Sequence, residues 1–301
     1  MITKFEQIFE QLRSKSKKRL VCAWSVDDHT ISAAAKAVEL GIVEATLVGD
    51  VDMINEVCKA EKIDPSIFTI VDNKVELKAI AEAVSMVKNG QGDILMKGLC
   101  STDKYMRGIL NKENGLLPAK AVLSHVCVME NPNYHKLIIL GDMAVIPAPD
   151  LKQKQAITGY LVKTAKALEI KTPKVAFVAA TEQMLPAMQA CVDAAILAKM
   201  CDRGQIAGCV ADGPLALDVA LSAEAVAIKK LASPVAGDAD CLVFPNIESA
   251  NVFYKVNSQL CNGVKQAAIV AGAQAPCVLS SRADSIETKL NSIALAALTA
   301  K

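Results

Sequence analysis

The sequence predicts an α/β protein built on mainly parallel strands. Two observations carry this. Short β-rich runs alternate with longer helical stretches along the whole chain, the pattern of a parallel sheet covered by helices on both faces. The 301 residues are 52% apolar, enough for a sizeable core. That length is near the point where one core stops growing, so two domains are expected.

The strand-like runs are RLVCAW, EATLVG, FTIVD, DILMKG, AVLSHVCVM and KLIIL, then KVAFVAA, QIAGCVA, CLVFP and QAAIVAG. Between them lie stretches such as DDHTISAAAKAVELG and KVELKAIAEAVSMVKNG. In the latter, Val75, Leu77, Ile80, Ala83, Val84 and Val87 recur at near-helical spacing. Prolines at 132, 147 and 149 interrupt the alternation, and a new series of β-α units follows. A second domain is therefore expected to begin within residues 120–150.

The formal net charge of +1 leaves no global basic field, which argues against nucleic acid or an anionic membrane as a partner. The opening MITKFEQIFEQLRSKSKK is polar and amphipathic, unlike a signal peptide, and no apolar run has membrane-spanning length. Most of the ten cysteines sit in apolar runs, as Cys22, Cys127 and Cys209 do. Free thiols in a reducing cytoplasm are expected, and no cysteine or histidine spacing suggests a metal. GxxxxGK[ST], GxSxG and HExxH are absent, and AWSVDDHT stands where a GxGxxG would follow the first strand. A Ser-His-Asp hydrolase would have to draw on His29, His125 or His135, and none lies in a hydrolase signature.

In parallel sheets ligands lie beyond the carboxyl ends of the strands, so the strand-to-helix junctions are the places to search. The first is MKGLCST (96–102), with Arg107 beyond it. A helix start near Ser101 favours an anion, and a guanidinium two turns on can grip phosphate; alternatively Ser101 is only a cap and Arg107 a surface charge. The second, Ser280 to Ser285 (SSRADS), gathers hydroxyls, a guanidinium and a carboxylate. It could hold phosphate and move a proton, although Asp284 with Glu287 also has the spacing of a capping arrangement. At the third, DGPLALD (212–218), capping a helix is the expected job of Asp212. The fourth runs from PVAGDAD (234–240) to Asn251. There Asn246 and Asn251 could bind a ligand or equally satisfy turn backbone.

Together these segments resemble the phosphate acetyl/butyryltransferase family. The resemblance rests on LVGD (47–50), MKGLCSTDKYMRGIL (96–110), DGPLALDVALSAEAV (212–226), PVAGDADCLVFPNIESANVFYK (234–255) and LSSRADS (279–285), in the family's order and spacing. SSRADS looks more like the butyryl branch than the acetyl branch, which usually carries Ser-Arg-Gly-Cys-Ser there.

The resemblance implies a two-domain α/β fold like that of isocitrate and isopropylmalate dehydrogenases, with an interdomain cleft. It divides the chain into a discontinuous first domain, 1–125 with 268–301, and a second domain, 126–267. It implies a cytoplasmic homo-oligomer that uses acyl-CoA and phosphate and no metal or redox cofactor. Arg282 would bind phosphate, with Ser281 as hydroxyl donor. Ser101, Thr102 and Arg107 would line the pocket, and Asn251 is counted with the substrate-binding residues. The acetyl branch has an aspartate six residues after the motif arginine, where this chain has Thr288. Asp284 is therefore favoured for proton transfer over Glu287. The alternatives are a phosphate acetyltransferase, a non-catalytic binding protein that keeps the same pocket, or a metal-dependent dehydrogenase of the same fold. The last would need clustered carboxylates, and no such cluster is evident.

Overall fold

A computed structural model of the protein describes residues 1–280 and 284–301. In chain order it begins with α1 (Phe5–Arg13), β1 (Lys18–Ala23), α2 (Asp28–Glu39), β2 (Val43–Gly49) and α3 (Val51–Glu61). Then come β3 (Thr69–Asp72), α4 (Glu76–Lys88), β4 (Ile94–Lys97), α5 (Thr102–Ile109), β5 (Ser124–Glu130) and β6 (Ile138–Gly141). The next elements are α6 (Leu151–Ala167), β7 (Lys174–Val178), α7 (Gln189–Asp202), β8 (Val210–Leu215), α8 (Leu217–Leu221) and α9 (Ala223–Lys229). The chain closes with β9 (Cys241–Val243), α10 (Ile247–Leu260), β10 (Lys265–Ala271), β11 (Cys277–Val278) and α11 (Ile286–Thr299).

Contacts divide the chain into two compact units. The first comprises Phe5–Leu123 and Gln266–Lys301, the second Met1–Lys4 and Ser124–Lys265.

Within the first unit the strand order is β3-β2-β1-β4-β11-β10. All neighbours are parallel except β10 and β11. α11 packs on α1 and α2, whereas α4 packs on α5 and on β1, so helices form two separate layers on the strands. The inner strands are buried on both faces and read as continuous apolar runs, as in Ile94–Met96 and Leu20–Ala23, whereas the edge strand β3 is partly exposed. The amphipathic opening segment forms α1 and buries Phe5, Ile8 and Leu12. On α4 the helical spacing places Ile80, Ala83, Val84 and Val87 in the core. Val75 and Leu77, expected on the same face, are exposed where the helix begins.

Within the second unit the order is β5-β6-β9-β7-β8, antiparallel only at β5–β6. Here one reading is corrected. The strand expected over QIAGCVA runs later, over Val210–Leu215. Gly204 (φ 73°) and Gly208 (φ 84°) take left-handed conformations that hold the preceding residues in turns. The strand therefore contains Asp212 and Gly213. A Cβ at Gly213 would lie 2.7 Å from that of Phe177, so glycine lets β8 lie close against β7.

Candidate active site

Strands β1, β4 and β11 are adjacent and parallel, with Ala23 paired to Lys97 and Met96 to Val278. Their carboxyl ends therefore lie side by side. The turns that follow them carry most of the residues singled out in the sequence.

β1 ends at Ala23, and the next residue, Trp24, has a φ of 54° that turns the chain sharply. Asp27 then caps α2 by accepting from Thr30 N at 2.9 Å. Its other carboxylate oxygen is buried without a hydrogen-bond partner among the described residues. Gly98 N and Leu99 N donate to the carbonyls of Ala23 and Trp24, each at 2.9 Å. A Cβ at position 98 would collide with the Trp24 carbonyl, so only glycine lets the β4 turn approach so closely.

Lys97, 2% exposed, ends β4. Its ammonium donates to the carbonyls of Gly98 (3.1 Å) and Cys100 (2.9 Å), which fixes the turn leading into α5. Ser101 caps α5 by accepting from Lys104 N at 3.2 Å. Thr102, the first helical residue, is exposed. Arg107 is also exposed and is ion-paired along the helix with Asp103 at 3.0 Å. The junction is thus where it was expected, with Ser101 as a true cap.

After β11, Ser280 is buried and its hydroxyl accepts from Lys289 Nζ at 3.0 Å. Ser281 and Arg282 lie outside the described residues. Asp284 is half-buried, and its backbone carbonyl accepts from His29 Nδ1 at 3.1 Å. The cap of α11 is Ser285, which accepts from Thr288 N at 3.1 Å. The capping reading of Asp284 is corrected accordingly. Thr288 places its own hydroxyl 3.1 Å from that of Ser285, and Glu287 is exposed.

Lys289 was missed in the sequence, as were Lys97 and His29. Lys289 stands on the buried face of α11, four residues before Ile293, at helical spacing from the apolar residues that close the helix. That misplaced charge was the available signal. Burial pushes the Lys289 ammonium below the ordinary lysine range, opposed by the charges of Asp27, Asp284, Cys22 and Asp28.

In the second unit the signature residues make hydrogen bonds and ion pairs within the protein. Asp212 sits inside β8 and accepts from Gly213 N at 2.8 Å, so it does not cap a helix as expected. Instead Ala216 N, at the start of α8, donates to Glu182 at 3.2 Å. Asp238 pairs with Lys136 (2.8 Å) and Lys174 (2.7 Å), and Asp240 accepts from Lys174 N at 2.7 Å. Burial alone would raise the Asp238 carboxyl, but hydrogen bonds from the two lysines outweigh it and hold the group well below the usual range. Asn246 caps α10, and Asn251 Nδ2 donates to the Met143 carbonyl at 3.1 Å. Both asparagines therefore satisfy backbone groups. Among the described residues no three His, Cys, Asp or Glu side chains converge as metal ligands.

A family model described as phosphate acetyl/butaryl transferase matches residues 3–82 and 73–297. The chain belongs to this family, as the motifs implied. It is 45% identical over 300 residues to phosphate butyryltransferase of Clostridium acetobutylicum, covering 100% of this chain and 99% of the relative. It is 40% identical over 295 residues to phosphate acetyltransferase of Thermotoga maritima, covering 98% and 99%. The crystal structure of a branched-chain phosphotransacylase from Enterococcus faecalis superposes with a TM-score of 0.83 at 29% identity, over 94% of this chain and 98% of that one. A 4-hydroxythreonine-4-phosphate dehydrogenase from Klebsiella pneumoniae superposes with a TM-score of 0.58 at 11% identity, over 95% and 100%. This last likeness is one of fold alone, and it is a dehydrogenase fold, in keeping with the expected class. No helix among the described residues is long and apolar enough to cross a membrane.

Proposed function

We propose that the protein transfers a short acyl group, butyryl in preference to acetyl, between coenzyme A and inorganic phosphate. Acyl-CoA and phosphate give acyl phosphate and free CoA, reversibly. The observation that carries this is the full-length 45% identity to a phosphate butyryltransferase. The acetyl reading is the alternative, favoured by the 40% identity to a phosphate acetyltransferase.

The reaction makes three physical demands. Phosphate must be oriented against the thioester carbonyl, which removes the entropic cost of encounter. The developing oxyanion needs donors, and the thiolate leaving group needs a proton or a positive field. Arg282 meets the first and Ser281 the second. Asp284 moves the proton. The hydrogen bond from His29 that holds its backbone carbonyl and the nearby charge of Lys289 support that role. Ser101, Thr102 and Arg107 line the anion pocket at the start of α5, where free N–H groups favour negative charge. Asn251 contributes to substrate binding. No cofactor is assigned beyond coenzyme A as substrate and product. The two compact units support a division into domains near 1–125 with 268–301, and 126–267. A cytoplasmic homo-oligomer completes the proposal.

The test is phosphate-dependent release of free thiol from butyryl-CoA, with acetyl-CoA run alongside. Release that requires phosphate, faster with butyryl-CoA, is expected. Faster release with acetyl-CoA would move the chain to the acetyl branch. Release without phosphate, or none, would overturn the transferase reading.

A further inference from the structure

Cys201 lies in the last turn of α7 and Cys209 just before β8, joined by an exposed turn. Their sulfurs are 3.9 Å apart. Cys201 is 9% exposed, whereas Cys209 is half-buried at the surface. The Lys166 ammonium lies over the same turn, close enough that a Cβ at Gly208 would collide with it. The turn contains Gly204 and Gly208, both at positive φ. A disulfide needs its sulfurs about 2 Å apart, so they must close by about 2 Å, which a glycine-hinged surface turn can supply.

We propose that Cys201 and Cys209 are a reversible dithiol that takes up oxidising equivalents from the disulfide of a small thiol, with Cys209 attacking and Cys201 resolving. The two sulfurs differ in the way these roles require. The hydrogen bond between the two thiols, opposed by burial and helped by Lys166, holds the Cys209 thiol below its ordinary range. The same hydrogen bond, with burial, pushes Cys201 up. The thiolate is the nucleophile, so the more accessible sulfur is also the reactive one.

In the first step Cys209 Sγ⁻ attacks one sulfur of R–S–S–R. A Cys209–S–S–R bond forms and R–S⁻ leaves. In the second step Cys201 Sγ loses its proton and attacks Cys209 Sγ, closing the intramolecular bond and expelling the second R–S⁻. Two protein thiols are oxidised, one small disulfide is reduced to two thiols, and the two cysteine protons end on those thiols.

The test treats the folded full-length protein with glutathione disulfide, alkylates the remaining thiols and digests with trypsin. Cleavage after Lys199 and Arg203 puts the two cysteines in different peptides, 200–203 and 204–229. The expected result is a crosslink of these peptides that dithiothreitol reverses. Cys201→Ser should instead retain a mixed disulfide on Cys209, and Cys209→Ser should leave Cys201 unmodified. Lys166→Met should slow capture several-fold at pH 7. The wild-type crosslink is read without any substitution, so misfolding of a variant cannot hide the answer. Absence of that crosslink would overturn the proposal, as would capture at Cys201 in Cys209→Ser as fast as capture at Cys209 in Cys201→Ser.

Discussion

A buried lysine and an exposed arginine flank the candidate site, and they make opposite predictions. Arg107 is 79% exposed at its side chain and, among the described residues, its ion pair is with Asp103 along the helix. Such a pair contributes at most about 0.5 kcal/mol to stability. Arg107→Ala should leave the unfolding midpoint almost unchanged while raising KM for phosphate or acyl-CoA. A midpoint loss with normal kinetics would return Arg107 to the role of a surface charge. Lys289, in contrast, is 3% exposed. Its folded pKa lies below the unfolded value, so between the two the unfolded chain holds a proton that the folded chain does not. Stability from this group therefore rises with pH through the folded pKa and levels off above about 10.5. Urea unfolding of wild type and Lys289→Met from pH 7 to 10.5 should show the difference shifting toward wild type as pH rises. A constant difference would mean that Lys289 does not titrate in this way.

At the scale of the element, the junction before α5 asks one residue to do two jobs. Ser101 caps the helix, and Ser101→Ala should cost about 1 kcal/mol. Aspartate caps as well as serine, but its charge opposes an anion. Ser101→Asp should therefore keep the unfolding midpoint and raise KM for phosphate by about tenfold, the equivalent of about 1.4 kcal/mol. Equal KM values would mean that Ser101 is a cap and nothing more. This junction was legible because an apolar run, a glycine and a serine mark strand end, turn and cap in succession. The β8 region was not, since the strand continues through a Gly-Pro step that reads as a turn. The caps of α8 and α11 were misread for a related reason. Asp212 and Asp284 have the right chemistry, but Glu182 and Ser285 accept from the helix starts instead, and a distant acceptor such as Glu182 leaves no trace in local spacing. His29 meeting Asp284 across more than two hundred residues is illegible on the same ground.

Across the molecule, buried charge is handled in two ways. In the second unit, lysines are matched to carboxylates. Lys154 and Asp193 meet at 2.6 Å between α6 and α7, both more than 90% buried, and Gln189 donates to the other Asp193 oxygen at 2.7 Å. In the candidate site of the first unit, the Lys97 ammonium donates to two carbonyls and the Lys289 ammonium to a hydroxyl. A matched pair is a structural device: removing one partner strands a charge in a low-dielectric interior, at a cost of about 3–5 kcal/mol. Asp193→Ala should show that full loss in denaturant unfolding. Lys154→Met with Asp193→Leu, which removes both charges and fills the space, should recover most of it, because the desolvation cost of the pair disappears with the pair. Thiol release per folded molecule should be the same in wild type and in the double variant, since this pair carries stability and not chemistry. If the double variant were folded and stable but slow, buried charge in the second unit would have to be counted with the catalytic machinery, and the structural reading of the Lys154–Asp193 pair would fail.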